Sequence, residues 1–253
     1  MKQIKTKSVK GNLSYLLFIL VFLPLFNLSA QNFVGLGGEL FSGPLGYNLG
    51  TTTDWSTVRS SAPGYYSWAS GTTTSSSYTG LSATNNVNGY VKKYGVDAFV
   101  FPVGTGTEMR TLTIAASSGA ATNAYATAWI EGNPTTVLDP TDVTNQFHPI
   151  TSISGVIVGV SPVGQWDWQA ISGTGEGLGI TVSIPAIPAT GVFTEASNLR
   201  LVGWDGSKWI NLGTTGTTSL ANYSALSGTM VAGIQAIGIG AACGAGINYP
   251  TIQ

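Results

Sequence analysis

The pentapeptide QWDWQ, residues 165–169, holds the strongest candidate binding residues of this chain. In an extended strand Trp166 and Trp168 point to one face and Asp167 points to the other. If the tryptophan face is exposed, it forms a flat platform for sugar rings, with Asp167 and Gln169 as hydrogen-bonding partners. If that face is buried, both indoles belong to the hydrophobic core, to which large aromatic side chains contribute strongly. We favour the core interpretation and keep a carbohydrate-binding site as the alternative.

A second candidate group consists of the carboxylates of Glu131, Asp139 and Asp142 in the segment EGNPTTVLDPTD. Calcium accepts six to eight oxygen ligands, so these side chains together with backbone carbonyls are a possible calcium site. Their spacing matches no EF-hand, and aspartate next to proline and threonine is common in turns. The turn role is therefore favoured. A pair of acids for glycoside hydrolysis is a further alternative that nothing in the spacing supports.

Other catalytic motifs are missing from the sequence. The chain has one histidine, His148, and no G-x-S-x-G motif that would present a nucleophilic serine. Cys243 has no histidine near it in the sequence, and the glycine-rich segments 173–179 and 238–244 do not match a phosphate-binding loop. We therefore predict a protein that is not an enzyme and that requires no cofactor, with calcium as the possible exception.

Composition restricts the class of protein. Of the 253 residues 43% are hydrophobic, whereas 8% are charged, against about a quarter in a typical soluble domain. Such a chain fills a core and is not disordered. Four of the ten basic residues precede residue 11, so the remainder carries too little positive charge to bind nucleic acid. A single cysteine excludes an intramolecular disulfide.

The N-terminus has the three parts of a secretory signal peptide. Lys2, Lys5, Lys7 and Lys10 precede an apolar run over residues 15–26, and a small residue, Ala30, marks the predicted cleavage site. The run is shorter than the roughly 20 residues that a spanning helix needs. We therefore predict a signal peptide over 1–30 and a secreted or cell-surface protein that does not span a membrane after cleavage.

Short β-branched and aromatic runs between glycines and prolines predict strands, and 34 glycines with 11 prolines argue against long helices. The clearest prediction is a hairpin that turns at Asp205-Gly206. A second hairpin is expected over 89–106; its Lys92 and Lys93 point to opposite faces, with one solvated and the other laying its stem along a sheet edge. The segment 230–242 is expected to close the sheet.

These elements predict an all-β fold, an antiparallel β-sandwich of the immunoglobulin-like or jelly-roll-like kind, over residues 86–243. Residues 31–85 are expected to form a loop-rich segment that packs its aromatic side chains on this domain. Residues 244–253 are predicted to be a linker or the start of a further module.

Three stretches together resemble secreted and cell-surface proteins of the Bacteroidota. They are the signal end SAQ, the run GYVKK…AFVFPVG…R and the run LRLVGWDGSKWINLG. The resemblance spans about 86–242. It implies a β-sandwich module of a large adhesin-like protein that leaves the cell by the type IX pathway. Members of this group often carry a C-terminal sorting domain, and the sequence shows none, which favours a fragment of a longer adhesin.

The functional prediction follows from the resemblance and the composition together. We predict a structural or adhesive cell-surface module whose partners are other surface-protein modules or extracellular polysaccharide. A carbohydrate-binding module that uses Trp166 and Trp168 is the first alternative, and a secreted glycan hydrolase is the second.

Overall fold

The computed structural model describes residues 31–42, 46–51, 54–71, 78–213 and 215–243. The predicted signal peptide over 1–30 and the predicted linker over 244–253 lie outside these residues. The described part of the chain is all-β: it contains strands and three short 3₁₀ helices, at Leu49–Thr51, Gly191–Phe193 and Ala196–Asn198. None of the described helices has the length and apolar character needed to span a bilayer.

Eighteen strands are present in the described residues. In chain order they are β1 (Gln31–Val34), β2 (Glu39–Ser42), β3 (Tyr47–Asn48), β4 (Asp54–Thr57), β5 (Tyr65–Trp68), β6 (Tyr78–Thr79), β7 (Val87–Asn88), β8 (Tyr90–Tyr94), β9 (Phe99–Phe101), β10 (Leu112–Ile114), β11 (Ala124–Glu131), β12 (Ile157–Val160), β13 (Gly164–Ser172), β14 (Gly179–Ser183), β15 (Leu199–Trp204), β16 (Trp209–Asn211), β17 (Ala225–Thr229) and β18 (Ala236–Ala242).

The largest sheet runs in the order β16-β15-β18-β13-β11-β8-β5-β2, with β12 added beside β18. Its centre is the long antiparallel pair β11 and β13, in which Trp129 lies opposite Trp166 and Thr127 lies opposite Trp168. Because side chains alternate along a strand, this register places the large aromatic rings of both strands on one face. Asp167 lies opposite Ala128, on the other face.

A second sheet, in the order β17-β14-β10-β9, is antiparallel throughout. Its alternate residues are buried and belong to the same hydrophobic cluster as Trp129, Trp166 and Trp168 of the large sheet. The buried residues of the second sheet are Phe99, Phe101, Leu112, Ile114, Ile180, Val182 and Leu226. One core therefore lies between the two sheets, and its burial is the main contribution to stability.

The N-terminal strands pair in parallel. β2 pairs with β5 and β5 with β8, all parallel, while β1, β4 and β7 form a separate three-stranded parallel sheet. Trp55, Tyr66 and Trp68 from this segment join the common core. The sheets are thus mixed: every parallel pair includes a strand from residues 31–85, whereas the strands of residues 86–243 pair with one another antiparallel.

The predicted hairpin over 89–106 does not form. β8 lies in the large sheet with β5 and β11 as its neighbours, whereas β9 pairs with β10 in the second sheet. Since both edges of β8 are already occupied, the chain crosses from one sheet to the other after Tyr94. The apolar β9 then buries Phe99 and Phe101 in the core.

The two adjacent lysines are buried, which corrects the prediction that they are solvated at a sheet edge. Lys92 is 6% exposed and pairs with Glu39 at 2.8 Å. Lys93 is 0% exposed and donates to the carbonyl oxygens of Ala69, at 2.7 Å, and Tyr94, at 2.5 Å. The reason is that β8 is an interior strand and not a sheet edge, and that side chains enclose each lysine on its own face: Lys92 lies over the Tyr65 ring at 4.6 Å and Lys93 over the Phe99 ring at 5.8 Å.

The predicted Asp205-Gly206 hairpin is confirmed. β15 and β16 pair antiparallel with Trp204 opposite Trp209, and the Asp205 carboxylate accepts the backbone N–H of Lys208 at 2.9 Å. β18 does not close the sheet as expected. It lies inside, between β15 and β13.

Candidate functional site

The outer face of the large sheet is covered by the segment 132–156, which connects β11 to β12 and is called the covering loop below. A small apolar cluster that includes Val202, Trp204 and Trp209 lies on this face, and Ile150 and Ile153 of the covering loop pack against it. Beside this cluster the interface between loop and sheet is polar. Of the residues predicted to carry chemistry, Asp139, Asp142, Asp167 and Gln169 lie there.

Asp167 is the centre of this polar interface. It sits in the middle of β13 and is 1% exposed. Its Oδ2 accepts hydrogen bonds from the Tyr90 hydroxyl at 2.6 Å, the Thr141 hydroxyl at 2.7 Å and the Gln169 amide at 3.3 Å. The Gln169 carbonyl oxygen in turn accepts the Tyr65 hydroxyl at 2.7 Å. The carboxylate is therefore held by donors from β8, β13 and the covering loop.

Asp139 of the covering loop is also 1% exposed, and its carboxyl group adjoins that of Asp167, so that each affects the pKa of the other. Its Oδ1 accepts the backbone N–H of Thr141 at 3.1 Å and that of Asp142 at 3.4 Å. Oδ2 of Asp139 and Oδ1 of Asp167 are buried and have no hydrogen-bond partner among the described donors. We infer that these two oxygens share a proton, which would give each of them a partner, because two carboxylates cannot hydrogen bond to each other without one.

The electrostatics of this acid pair agree with a retained proton. Burial, together with the neighbouring Asp167 charge, raises the pKa of Asp139 to about 8. Burial also raises the pKa of Asp167, although three hydroxyl and amide donors and Asp139 itself oppose the shift. Burial and the Asp167 charge raise the pKa of the Tyr90 hydroxyl well above its ordinary value. Near neutral pH the pair therefore retains a proton.

His148 makes a second link between the covering loop and the sheet. Its Nδ1 donates to the side-chain oxygen of Gln165 on β13 at 2.8 Å, and its Nε2 lies 3.3 Å from Oδ2 of Asp142. The ring stacks on Trp204 with 4.9 Å between centroids. His148 is 0% exposed, so it is a packed structural residue.

A surface pocket of about 320 Å³ lies next to the acid pair. Tyr65, Thr141, Asp142 and Gln169 contribute to its wall, so its polar groups are hydroxyls and amides together with one carboxylate. Neither Asp139 nor Asp167 lines this pocket, and the two oxygens that we infer to share the proton are closed to solvent. A substrate in the pocket would therefore not contact the proton of Asp139, and the acid pair is suited to fastening the loop and not to acid–base catalysis.

The predicted sugar platform is not supported by the position of its tryptophans. Trp166 is 0% and Trp168 is 2% exposed, so neither ring can stack on a ligand. Trp166 donates its Nε1–H to the Arg110 carbonyl at 2.7 Å, and Trp168 stacks on Tyr125 with 5.4 Å between centroids. Both belong to the core, as the favoured interpretation expected.

The predicted calcium ligands do not come together. Asp139 and Asp142 are buried on the side of the covering loop that faces the sheet, whereas Glu131 is exposed at the end of β11 and lines a different pocket. Asp142 Oδ1 accepts the backbone N–H of Thr144 at 3.1 Å and that of Asn145 at 2.9 Å, as an aspartate that caps a turn does. Within the described ranges no group of three or more histidine, cysteine or acidic residues could hold a metal.

No family model matches the chain, and no curated protein and no solved structure is significantly similar to it. The resemblance to Bacteroidota surface proteins therefore stays a prediction.

Sequence reasoning missed Tyr90, Thr141 and Gln165 as parts of the network. The available signal was the acid Asp167 between two tryptophans, because an ionisable residue in a buried strand requires buried partners. Tyr90 and Thr141 are 77 and 26 residues from Asp167 in sequence, Gln165 is 17 residues from His148, and no local pattern connects them.

Proposed function

We propose that this protein is an exported β-sandwich module with a structural or adhesive role at the cell surface, and that it is not an enzyme. The sandwich is formed by the large sheet and the antiparallel sheet β17-β14-β10-β9, whose inner faces contribute to one hydrophobic core. The predicted signal peptide and the low content of charged residues support the extracellular setting.

The observation that carries this proposal is the burial of the ionisable groups. Asp139, Asp167, Lys93 and His148 are each at most 1% exposed, and their polar atoms are bonded mainly to groups of the chain itself. Groups that act as general acids or bases must contact a substrate within hydrogen-bonding distance. Here Asp139, Asp167 and His148 fasten the covering loop to the large sheet, and Lys93 fastens β8 to the carbonyl of Ala69. Such contacts stabilise a rigid scaffold.

The hydrolase alternative is weakened by the same geometry. Its two proposed acids lie at different places: Glu131 is exposed at the end of β11, and Asp139 is buried between the covering loop and the large sheet. A glycosidase needs two carboxyl groups on either side of one scissile bond.

Expression of the full-length chain in a bacterial host with a secretory pathway tests the proposal. We expect mass spectrometry to find the exported chain beginning at Gln31, and we expect cells that display it to attach to polysaccharide-coated or protein-coated surfaces more strongly than control cells. The same preparation should release no reducing sugar from the polysaccharide. Retention in the cytoplasm, or sugar release that Asp139→Asn abolishes, would refute the proposal.

A further inference from the structure

A pocket of about 340 Å³, called the Arg110 pocket below, opens where β11 and β14 end and β10 begins. Its polar lining consists of Glu108, Arg110, Trp129, Glu131 and Asn222, and three apolar residues complete the wall. The volume is at the lower end of the range for small-molecule sites, which suits a ligand of one or two rings. This pocket is separate from the acid pair beneath the covering loop.

The charge of Arg110 is already compensated. Its side chain is 5% exposed and forms an ion pair with Glu108, and its guanidinium also donates to the Met109 carbonyl at 2.7 Å. Glu131 is exposed, and its carboxylate forms no hydrogen bond or ion pair with any described residue. Two carboxylates and one guanidinium leave the pocket with net negative charge, so an anionic ligand is disfavoured.

Two buried polar atoms in the wall have no partner within the described chain. They are Nε1 of Trp129, which is a donor, and the side-chain oxygen of Asn222, which is an acceptor. Buried polar groups are nearly always hydrogen bonded, so each exception requires an explanation. A ligand that satisfies both must accept at one point and donate at another. A hydroxyl group does both.

Tyr223, next to Asn222, has a strained backbone. Its φ of 68° is the only positive value at a non-glycine residue of the described chain. Such strain persists where neighbours hold it, and here the Tyr223 N–H donates to the Ile184 carbonyl at 2.8 Å. The ring is 41% exposed and lies 5.6 Å from the Arg110 guanidinium carbon. The strain thus places an exposed aromatic face beside the pocket.

We propose that the Arg110 pocket binds a neutral sugar residue, with Tyr223 contacting its apolar face and Trp129, Glu131 and Asn222 hydrogen bonding to its hydroxyls. A neutral polyhydroxyl ligand matches the mixed donors and acceptors, the net negative charge and the adjacent aromatic ring. This inference rests on the adhesive part of the proposed function for its biological setting, and it supplies the ligand class that such adhesion would use.

Saturation-transfer NMR on the full-length exported chain tests the inference. The probes are glucose, galactose, mannose, N-acetylglucosamine and cellobiose, with glucuronate as the anionic counterpart. We expect at least one neutral probe to show saturation transfer and glucuronate to show none. Glu131→Ala and Asn222→Ala should each weaken the binding of that probe at least tenfold. Thr144→Ala, which changes an exposed hydroxyl of the other pocket, should leave the affinity unchanged.

Glu131 is exposed and unpaired, so Glu131→Ala is expected to fold normally, and an unchanged near-ultraviolet circular dichroism spectrum would verify this. Three results overturn the inference: no neutral probe binds at millimolar concentration, binding survives both pocket variants, or glucuronate binds as well as the neutral sugars. Surface attachment separates the two proposals. If cells that display Glu131→Ala attach as well as cells that display the wild type, the pocket has no role in adhesion. If the protein binds sugar but its display causes no attachment, the adhesive function is refuted and the sugar site is not.

Discussion

The proton shared by Asp139 and Asp167 predicts an unusual dependence of stability on pH. The pKa of Asp139 rises from 3.8 to about 8 on folding. The native protein therefore keeps a proton between about pH 4 and pH 8 that the unfolded chain releases. The stabilisation is complete below the unfolded pKa, and it is lost progressively as the pH rises to the folded pKa. Each pH unit in that interval costs about 1.4 kcal/mol, so the loss between pH 5 and pH 8 is about 4 kcal/mol.

Asp139→Asn isolates this effect. The asparagine oxygen still accepts from the Thr141 and Asp142 backbone N–H groups, and its amide donates to Asp167 without a titratable proton. We expect the difference in unfolding free energy, variant minus wild type, to rise by about 4 kcal/mol from pH 5 to pH 8. Urea unfolding, followed by tryptophan fluorescence at four pH values, measures it. Contributions from titrating groups outside the acid pair cancel in the difference.

Asp205→Asn is the matched control, since it makes the same chemical change at the exposed hairpin turn. Slight burial would raise the pKa of Asp205, but hydrogen bonds from Lys208 and Ser207 outweigh it and lower the pKa below its ordinary value. That carboxylate therefore titrates below the measured interval, and the control should keep the wild-type dependence on pH. If Asp139→Asn also follows the wild-type curve to within about 1 kcal/mol, the shared proton does not exist.

Three further substitutions test the packing by chemical denaturation. Lys93→Met removes a buried ammonium that donates to two carbonyls, so we expect the free energy of unfolding to fall by about 1–3 kcal/mol. The control Lys208→Met, at the surface, should change it by less than about 0.5 kcal/mol. Gly164→Ala should lower the free energy of unfolding by about 1–3 kcal/mol more than Gly177→Ala does. Both glycines have positive φ, but only a Cβ at Gly164 collides with an indole and a carbonyl of the adjacent strand. Trp166→Ala should lower the free energy of unfolding by about 3–5 kcal/mol, because the ring is fully buried. A decrease below about 1 kcal/mol would contradict its place in the core.

The sequence predicted those features that depend on neighbouring residues. The Asp205-Gly206 turn is set by local backbone preferences, and the alternation of Trp166, Asp167 and Trp168 follows from the geometry of a single strand. The all-β class likewise follows from composition and the spacing of turn residues.

Features that depend on distant partners were not predicted. The segment 89–106 has the pattern of a hairpin, but β5 and β11 occupy both edges of β8, and nothing local to β8 indicates this competition. Burial of Lys93 follows from the same placement. The acid pair joins positions 139 and 167 through a loop that folds back over the sheet, so its pKa values depend on a contact that only the tertiary structure creates.

The burial of basic residues affects how readily proteases can cleave the folded protein. Lys92, Lys93 and Arg110 are enclosed within the fold, whereas Arg59 and Lys208 are the basic residues of the described chain that are exposed. Proteases of the trypsin type cleave after lysine or arginine in segments that can extend into their clefts. A folded chain with so few accessible cleavage points would persist where such enzymes are abundant, without the help of a disulfide bond.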